Sequence, residues 1–218
     1  MKLRVAIVWI ALATAPVTAL GATSMQYWMG NQRLAKGDNQ GAVESLTTAL
    51  EKDASNFGAL LNRGVAYERL EQLDQALADY TRAIEIVPGF GRAYHNRGLV
   101  YSKKGEYDRA IADYDEAIKN VDQLVIEAHG QAVKVDKAAL YYDRANTLYQ
   151  LKRPEEAVES FGSAIALDRL FAAAYNNRGV VRSEMGDKAA ACADRSKACE
   201  LDFGAACTWT HDNCQPAR

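Results

Sequence analysis

The 218-residue sequence has no excess of charge of either sign. Its 26 Lys plus Arg stand against 28 Asp plus Glu, a formal net charge of −2. Nucleic-acid partners want a clearly basic surface, so none is expected. Proline is scarce, at 4 residues, so little interrupts helix formation. There is no G-x-S-x-G, no phosphate-binding G-x-x-x-x-G-K-[ST], no H-E-x-x-H and no G-x-G-x-x-G. The three histidines, His95, His129 and His211, are far apart in sequence, and none stands beside a candidate nucleophile. The chain is therefore read as non-catalytic, with no cofactor and no metal. Hydrophobic residues at 49% and charged residues at 25% are the balance of a soluble globular protein, which excludes disorder.

Long apolar runs are absent except at the start. Lys2 and Arg4 precede the unbroken run Val5 to Ala13, which Thr14, Ala15 and Pro16 close. Val17-Thr18-Ala19 and Leu20-Gly21-Ala22 then offer small residues to a signal peptidase. Residues 1–22 are read as a secretory signal peptide, cut after Ala19 or Ala22. The alternative is a retained anchor, although the run falls short of the ~20 residues that span a bilayer. No cysteine near the cut invites lipidation. Loss of Lys2 and Arg4 takes the net charge from −2 to −4. No integral membrane span is expected after cleavage.

What the chain does contain is a period. The strings YWMG (27–30), LNRG (61–64), HNRG (95–98), YDRA (142–145) and NNRG (176–179) align. Gly30, Gly64 and Gly98 are 34 apart, as are Ala145 and Gly179, and an insertion of 13 separates the two groups. Twelve residues after each small residue stands Ala42, Ala76, Ala110, Ala157 or Ala191. Four further on comes Leu46, Tyr80, Tyr114, Phe161 or Arg195, and three beyond that Ala49, Ala83, Ala117, Ala164 or Ala198. Leu60, Tyr67 and Leu70 lie at helical spacing, as do Ala76, Tyr80, Ala83 and Ile84, so each unit predicts two helices. Gly37, Gly105 and Gly186 fall where the intervening turn needs a positive φ. One such pair cannot bury its own apolar face, so the pairs must stack.

These residues resemble the tetratricopeptide repeat (TPR), best in the second unit, with Gly64, Tyr67, Ala76, Tyr80, Ala83 and Pro88. The resemblance implies an all-α, right-handed α-solenoid of five helical hairpins plus a short C-terminal capping helix. Repeats are expected at 23–56, 57–90, 91–124, 138–171 and 172–205, with an insertion at 125–137 and a cap and tail at 206–218. Arg33, Arg182 and Arg195 replace aromatics in the terminal repeats, where one face meets solvent or a cap. Ile111, Tyr114, Ile118, Val121 and Val125 continue one helical face, so the second helix of repeat three is expected to run on to about Gly130. The alternative for the insertion is a loop without order, and in either case Ile126 or Val133 is a candidate partner contact.

Arg63, Arg97, Arg144 and Arg178 share one repeat position. Asp79, Asp113 and Asp194 follow the first, second and fourth of them by 16 residues, and Ser160 follows Arg144. They are read as structural Arg–Asp pairs, because the two charges appear together. The alternative is a row of ligand-binding arginines.

The resemblance also assigns a concave groove, lined by first helices, to an extended peptide or partner helix. On this sequence it comprises Tyr27, Asn31, Asn62, Arg69, Arg92, His95, Asn96, Lys103, Tyr142, Asn146, Tyr149, Asn176 and Asn177. Asparagine offers donors and an acceptor to peptide backbone, and tyrosine offers broad area with a polar tip. Asn31, Asn62 and Arg92 match a TPR subclass that grips a C-terminal carboxylate. Tyr27 and Asn96 stand where two of its basic residues belong, so that ligand is not expected.

All four cysteines lie near the end: Cys192, Cys199, Cys207 and Cys214. KACELDFGAAC (197–207) resembles cysteine-rich TPR relatives of secreted bacterial proteins, in which a disulfide across this spacing locks a helical hairpin. Two antiparallel helices turning about Phe203-Gly204 bring Cys199 opposite Cys207 and Cys192 opposite Cys214. Those two disulfides are expected, as suits an exported protein. A zinc site with His211 and a redox-active pair are the alternatives, but short C-x2–4-C and C-x-x-C spacings are absent. The combined expectation is a scaffold that binds a protein or peptide in a bacterial envelope complex, most naturally in the periplasm. Alternatives are a membrane-tethered assembly factor with an uncut N-terminus and a secreted binder of cell-wall or host components.

Overall fold

The computed structural model describes residues 17–121, 125–126, 132–133 and 135–214. Ten helices form five antiparallel hairpins. They are α1 (Val17–Ala35) with α2 (Asn39–Lys52), α3 (Phe57–Arg69) with α4 (Leu73–Ile86), and α5 (Gly91–Lys103) with α6 (Tyr107–Asn120). After the insertion come α7 (Lys137–Gln150) with α8 (Pro154–Leu167), and α9 (Ala172–Glu184) with α10 (Lys188–Glu200). An eleventh helix, α11 (Gly204–Asn213), packs on α10. Each second helix touches the first helix of the next hairpin, so the array is an all-α solenoid. Successive first helices α1, α3, α5, α7 and α9 also touch one another, whereas the second helices make no comparable contact. The first helices therefore form the inner, concave wall.

The repeated residues build this stack directly. Ala42, Ala76, Ala110, Ala157 and Ala191 are fully buried, as are Ala49, Ala83, Ala117, Ala164 and Ala198. Their small side chains let helix axes approach, and Leu46, Tyr80, Tyr114 and Phe161 fill the wedges between them. Burying each wedge residue contributes on the order of 1.5–3 kcal/mol. The glycine at the head of the motif is required by this wedge. A Cβ on Gly64 would stand 2.5 Å from Tyr80 Cε1, and one on Gly98 would stand 2.8 Å from Tyr114 Cε1.

The hairpin turns repeat as well. Gly37, Gly105 and Gly186 have φ of 80°, 76° and 87°. Glu71 and Lys152 occupy the same turn position with φ of 58° and 61°. Side-chain caps mark several helix starts: Asp38, Asn56 and Asp187 accept from the backbone N–H three residues on, and Asp136 from that of Ala138.

The insertion differs from the expected elongated helix. α6 stops at Asn120, and Val125–Ile126 pair antiparallel with Ala132–Val133 as strands β1 and β2. Helix α6 thus keeps the 14-residue length of α2, α4 and α8. Past that length α5 offers no surface to cover the apolar face. Val121, Val125, Ile126, Val133 and Val135 are β-branched, which favours strand over exposed helix. Val121 and Val135 meet at the base of the excursion, against Ala117 and Leu140. As a result α6 and α7 stack as neighbouring hairpins do elsewhere.

Most of the expected leader, residues 1–16, lies outside the described residues. α1 begins at Val17 and runs through both candidate cut positions. Among the described residues, no helix is long and apolar enough to cross a membrane.

Candidate functional site

The inner wall is a ladder of polar contacts between consecutive first helices. Asn62 Nδ2 donates to Asn31 Oδ1 (2.8 Å), tying α3 to α1. Arg69 donates to the Leu34 carbonyl (3.0 Å). Lys103 on α5 pairs with Glu68 on α3 (3.0 Å). His95 Nε2 meets Asp143 Oδ2 (2.8 Å), joining α5 to α7 across the insertion. Asn177 on α9 donates to both Tyr142 Oη (3.0 Å) and Asn146 Oδ1 (3.0 Å) on α7. Tyr149 donates to Glu184 (2.7 Å). Asn96 is half-buried on α5. The Tyr80 hydroxyl donates to Glu68 (3.3 Å), and burial raises its pKa well above the ordinary tyrosine value.

The residues assigned to the groove from sequence therefore divide. Asn31, Asn62, Asn146 and Asn177 hold one another, which fixes the floor before any ligand arrives. Arg92 is exposed and has no partner among the described residues. Lys103 is exposed at the rim. Two assignments are corrected. Tyr27 is 1% exposed and belongs to the core, with its hydroxyl packed against Gly58. Its neighbour Trp28, 54% exposed, stands instead at the repeat position of Asn62. Asn176 is also buried, donating to Asn177 Oδ1 (3.1 Å), while its own Oδ1 lacks a partner. Both stand at one repeat position, which Leu61 also fills as a fully buried residue in repeat two, whereas His95 and Tyr142 at that position reach the next hairpin.

The recurring arginines act inside the solenoid. Arg63 makes a two-point bond to Asp79 (2.8 and 2.7 Å), and Arg97 does the same with Asp113 (2.8 and 2.7 Å). Arg178 is bonded likewise to Asp194 (2.9 and 2.6 Å). Hydrogen bonding to the carboxylate raises the pKa of Arg63 and Arg97 against the opposing effect of burial. The third guanidinium nitrogen reaches back one repeat, to Thr47 from Arg63 (3.0 Å) and to Thr81 from Arg97 (3.1 Å).

Repeat four transposes this arrangement. Arg144 donates to Ser160 in its own hairpin (2.6 Å) and to Asp115 in the preceding one (2.7 Å). Asp115 stands at the repeat position of Thr47 and Thr81. The carboxylate has moved from within the hairpin to the junction between hairpins, a partner the 16-residue spacing does not point to.

At the C-terminal end, Cys192 is bonded to Cys214 and Cys199 to Cys207, joining α10 to α11 on both flanks. All four sulfurs are consumed, so no thiolate is left for a metal. Arg195 takes the wedge position of the aromatics. Its stem lies against Gly179, and its guanidinium sits 4.1 Å from the Trp209 ring centroid on α11. Burial lowers the pKa of Arg195, and its Nε has no hydrogen-bond partner. Arg182 adds a second cation to Asp194 (2.8 Å).

Stacked antiparallel hairpins, with first helices inward and a sealed last hairpin, define an α-solenoid built to present a concave surface. The chain belongs to the tetratricopeptide repeat family. Sequence profiles described as tetratricopeptide repeat match residues 29–89, 91–120 and 138–169, more than half of it. Proteins of this family are in general non-enzymatic protein-interaction scaffolds. The fold is shared with MamA, at 21% identity and a TM-score of 0.71, over 83% of this chain and 92% of that one. It is shared with MamA from Desulfovibrio magneticus RS-1, at 16% identity and 0.72, over 84% and 96%. PilF from Pseudomonas aeruginosa matches at 17% identity and 0.71, over 84% and 78%. At these identities the likeness is one of fold.

Proposed function

We propose that the chain is a non-catalytic scaffold that holds an extended protein segment along α1, α3, α5, α7 and α9 in a bacterial envelope complex. The reading is carried by the ladder of the inner wall. Its asparagines are already fixed by one another, so binding costs little further side-chain ordering. Asn31 and Asn146 keep their amide donors for a peptide carbonyl, and Arg92 keeps its whole guanidinium. The envelope assignment rests on the paired cysteines, which persist in oxidising compartments, and on the leader-like residues 1–22. A cut after Ala22 would leave a first helix of 13 residues, the length of α3, α5 and α9.

The test has two parts. An intact mass of protein recovered from its own cell, alkylated without reduction, should begin at Leu20 or Thr23 and carry no alkylated cysteine. A full-length mass with four alkylated thiols refutes the envelope role. Crosslinking in the intact envelope should then capture a partner with the wild-type chain and lose it with Asn62→Ala plus Asn96→Ala. Unchanged capture by a folded double variant refutes the groove.

A further inference from the structure

The groove carries a charge at every junction, and at one of them it is a lone carboxylate held at the edge. One repeat position holds Arg69, Lys103 and Glu184 in α3, α5 and α9. Arg69 lies across the α1–α3 junction to the Leu34 carbonyl, and Lys103 lies across the α3–α5 junction to Glu68. The α5–α7 junction is filled by His95 and Asp143. Between α7 and α9 the corresponding residue, Glu184, is held at the rim by the Tyr149 hydroxyl (2.7 Å). Beside it opens a cavity of about 210 Å³, lined by Asn146, Tyr149 and Gln150 of α7, Phe161 of α8, and Val180 and Val181 of α9.

None of these side chains is charged. The floor is apolar and rigid: Phe161 and Val181 are each 1% exposed. Asn177, which also borders the cavity, spends both amide hydrogens on Tyr142 and Asn146, so it braces the wall. Asn146 accepts that bond and keeps its own two N–H donors, and Gln150 is exposed with a whole amide to offer. Drug-sized ligands occupy pockets of about 300–1,000 Å³. This one is smaller, of a size for a single side chain. A carboxylate entering it would lose its water with no cation among the lining side chains, and an ammonium would meet only Glu184 at the edge, whose carboxylate already accepts from Tyr149.

We infer that the α7–α9 cavity is the anchor site of the groove: it takes one uncharged, apolar side chain of the bound peptide, while Asn146 and Gln150 pair with the flanking peptide amides. The inference rests on the peptide-binding reading above and adds the chemistry that the peptide must carry. Charged residues of the same peptide are left to Arg92, Lys103 and Glu184 along the rim.

The test uses end-blocked pentapeptides Ac-Gly-Gly-X-Gly-Gly-NH2, with X as Leu, Phe, Gly, Lys or Glu, titrated into the isotope-labelled oxidised chain. Amide NMR shifts of Val180 and Val181 are the readout. The Leu and Phe peptides should move these signals and saturate, and Gly should bind at least about tenfold more weakly. Val180→Phe, which fills the cavity, should abolish the response, and the exposed Gln150→Ala should weaken it without affecting the fold. Equal responses to Leu, Lys and Glu, or no response at Val180 and Val181 in the wild-type chain, overturns the inference. Shifts confined to the Asn31, Asn62 and Asn96 region would overturn it while leaving the groove intact. That separates its failure from failure of the wider reading.

Discussion

Transposing the carboxylate of repeat four tests the arginine system quantitatively. In the other repeats the carboxylate is nearly buried: the side chains of Asp79, Asp113 and Asp194 are 7%, 7% and 5% exposed. Removing one leaves a guanidinium without its counter-charge in a largely desolvated place. Such truncations cost about 3–5 kcal/mol. Asp115, in contrast, is 54% exposed, and a pair of that kind contributes at most about 1 kcal/mol. For a chain of this size each kcal/mol moves the melting temperature by about 2–4 °C. Asp79→Ala should therefore lower it by roughly 6–20 °C, and Asp115→Thr by only about 2–4 °C. Adding Ser160→Asp to Asp115→Thr rebuilds the Arg63–Asp79 arrangement in repeat four and should recover at least what was lost. Circular dichroism melts read the global effect. Hydrogen exchange in α7 and α8 reads it locally, since a stacked array opens hairpin by hairpin. Equal losses from Asp79→Ala and Asp115→Thr would refute the reasoning. So would further destabilisation by Ser160→Asp in the Asp115→Thr background.

Three further expectations concern the wedge and the cap. Burial raises the pKa of Tyr80 and Tyr114 above their ordinary value of 10.0. The unfolded chain therefore loses these protons first, so stability holds below pH 10 and falls as pH rises beyond it; Tyr80→Phe should flatten that alkaline loss in melts taken across the range. Gly64→Ala should cost about 1–3 kcal/mol in urea unfolding through its clash with Tyr80, and a neutral result would mean that the wedge is loosely packed. Cys199→Ser and Cys192→Ser should each lower the oxidised melting temperature and leave the reduced one unchanged. The Cys192–Cys214 bridge closes a separation of 22 against 8, so its loss should cost about 1 kcal/mol more; equal losses in reductant would mean that the sulfurs act through packing alone.

The hairpins were legible because small and aromatic residues recur in register and each position has one neighbour to satisfy. Gly37, Gly105 and Gly186 announced their turns. Glu71 and Lys152, at the same turn position, did not, because the fixed helices on either side impose a backbone angle that these residues do not advertise. Asp115 was hidden for a different reason. Its role depends on stacking between hairpins, and the insertion displaces it from the 16-residue rule. The groove was legible as a set of positions but not as a set of roles. Tyr27 and Trp28 are adjacent, and one helical step decides which enters the core. Likewise, nothing in the spacing of asparagines tells which ones bond to each other. The valines of the insertion matched helical periodicity, but the extension had no surface to cover, and periodicity alone cannot report that.

The closed base of the insertion has a consequence for the architecture as a whole. Val121 and Val135 come together beneath Leu140, and the stack of α6 on α7 continues as if the chain had not left it. The pitch of the array is therefore indifferent to what lies between those two residues. Lengthening that segment carries mainly a loop-closure cost, about 0.6 kcal/mol for each doubling. This junction is a natural graft point, where a foreign epitope or a second binding module could be spliced in while the concave face on either side keeps its curvature.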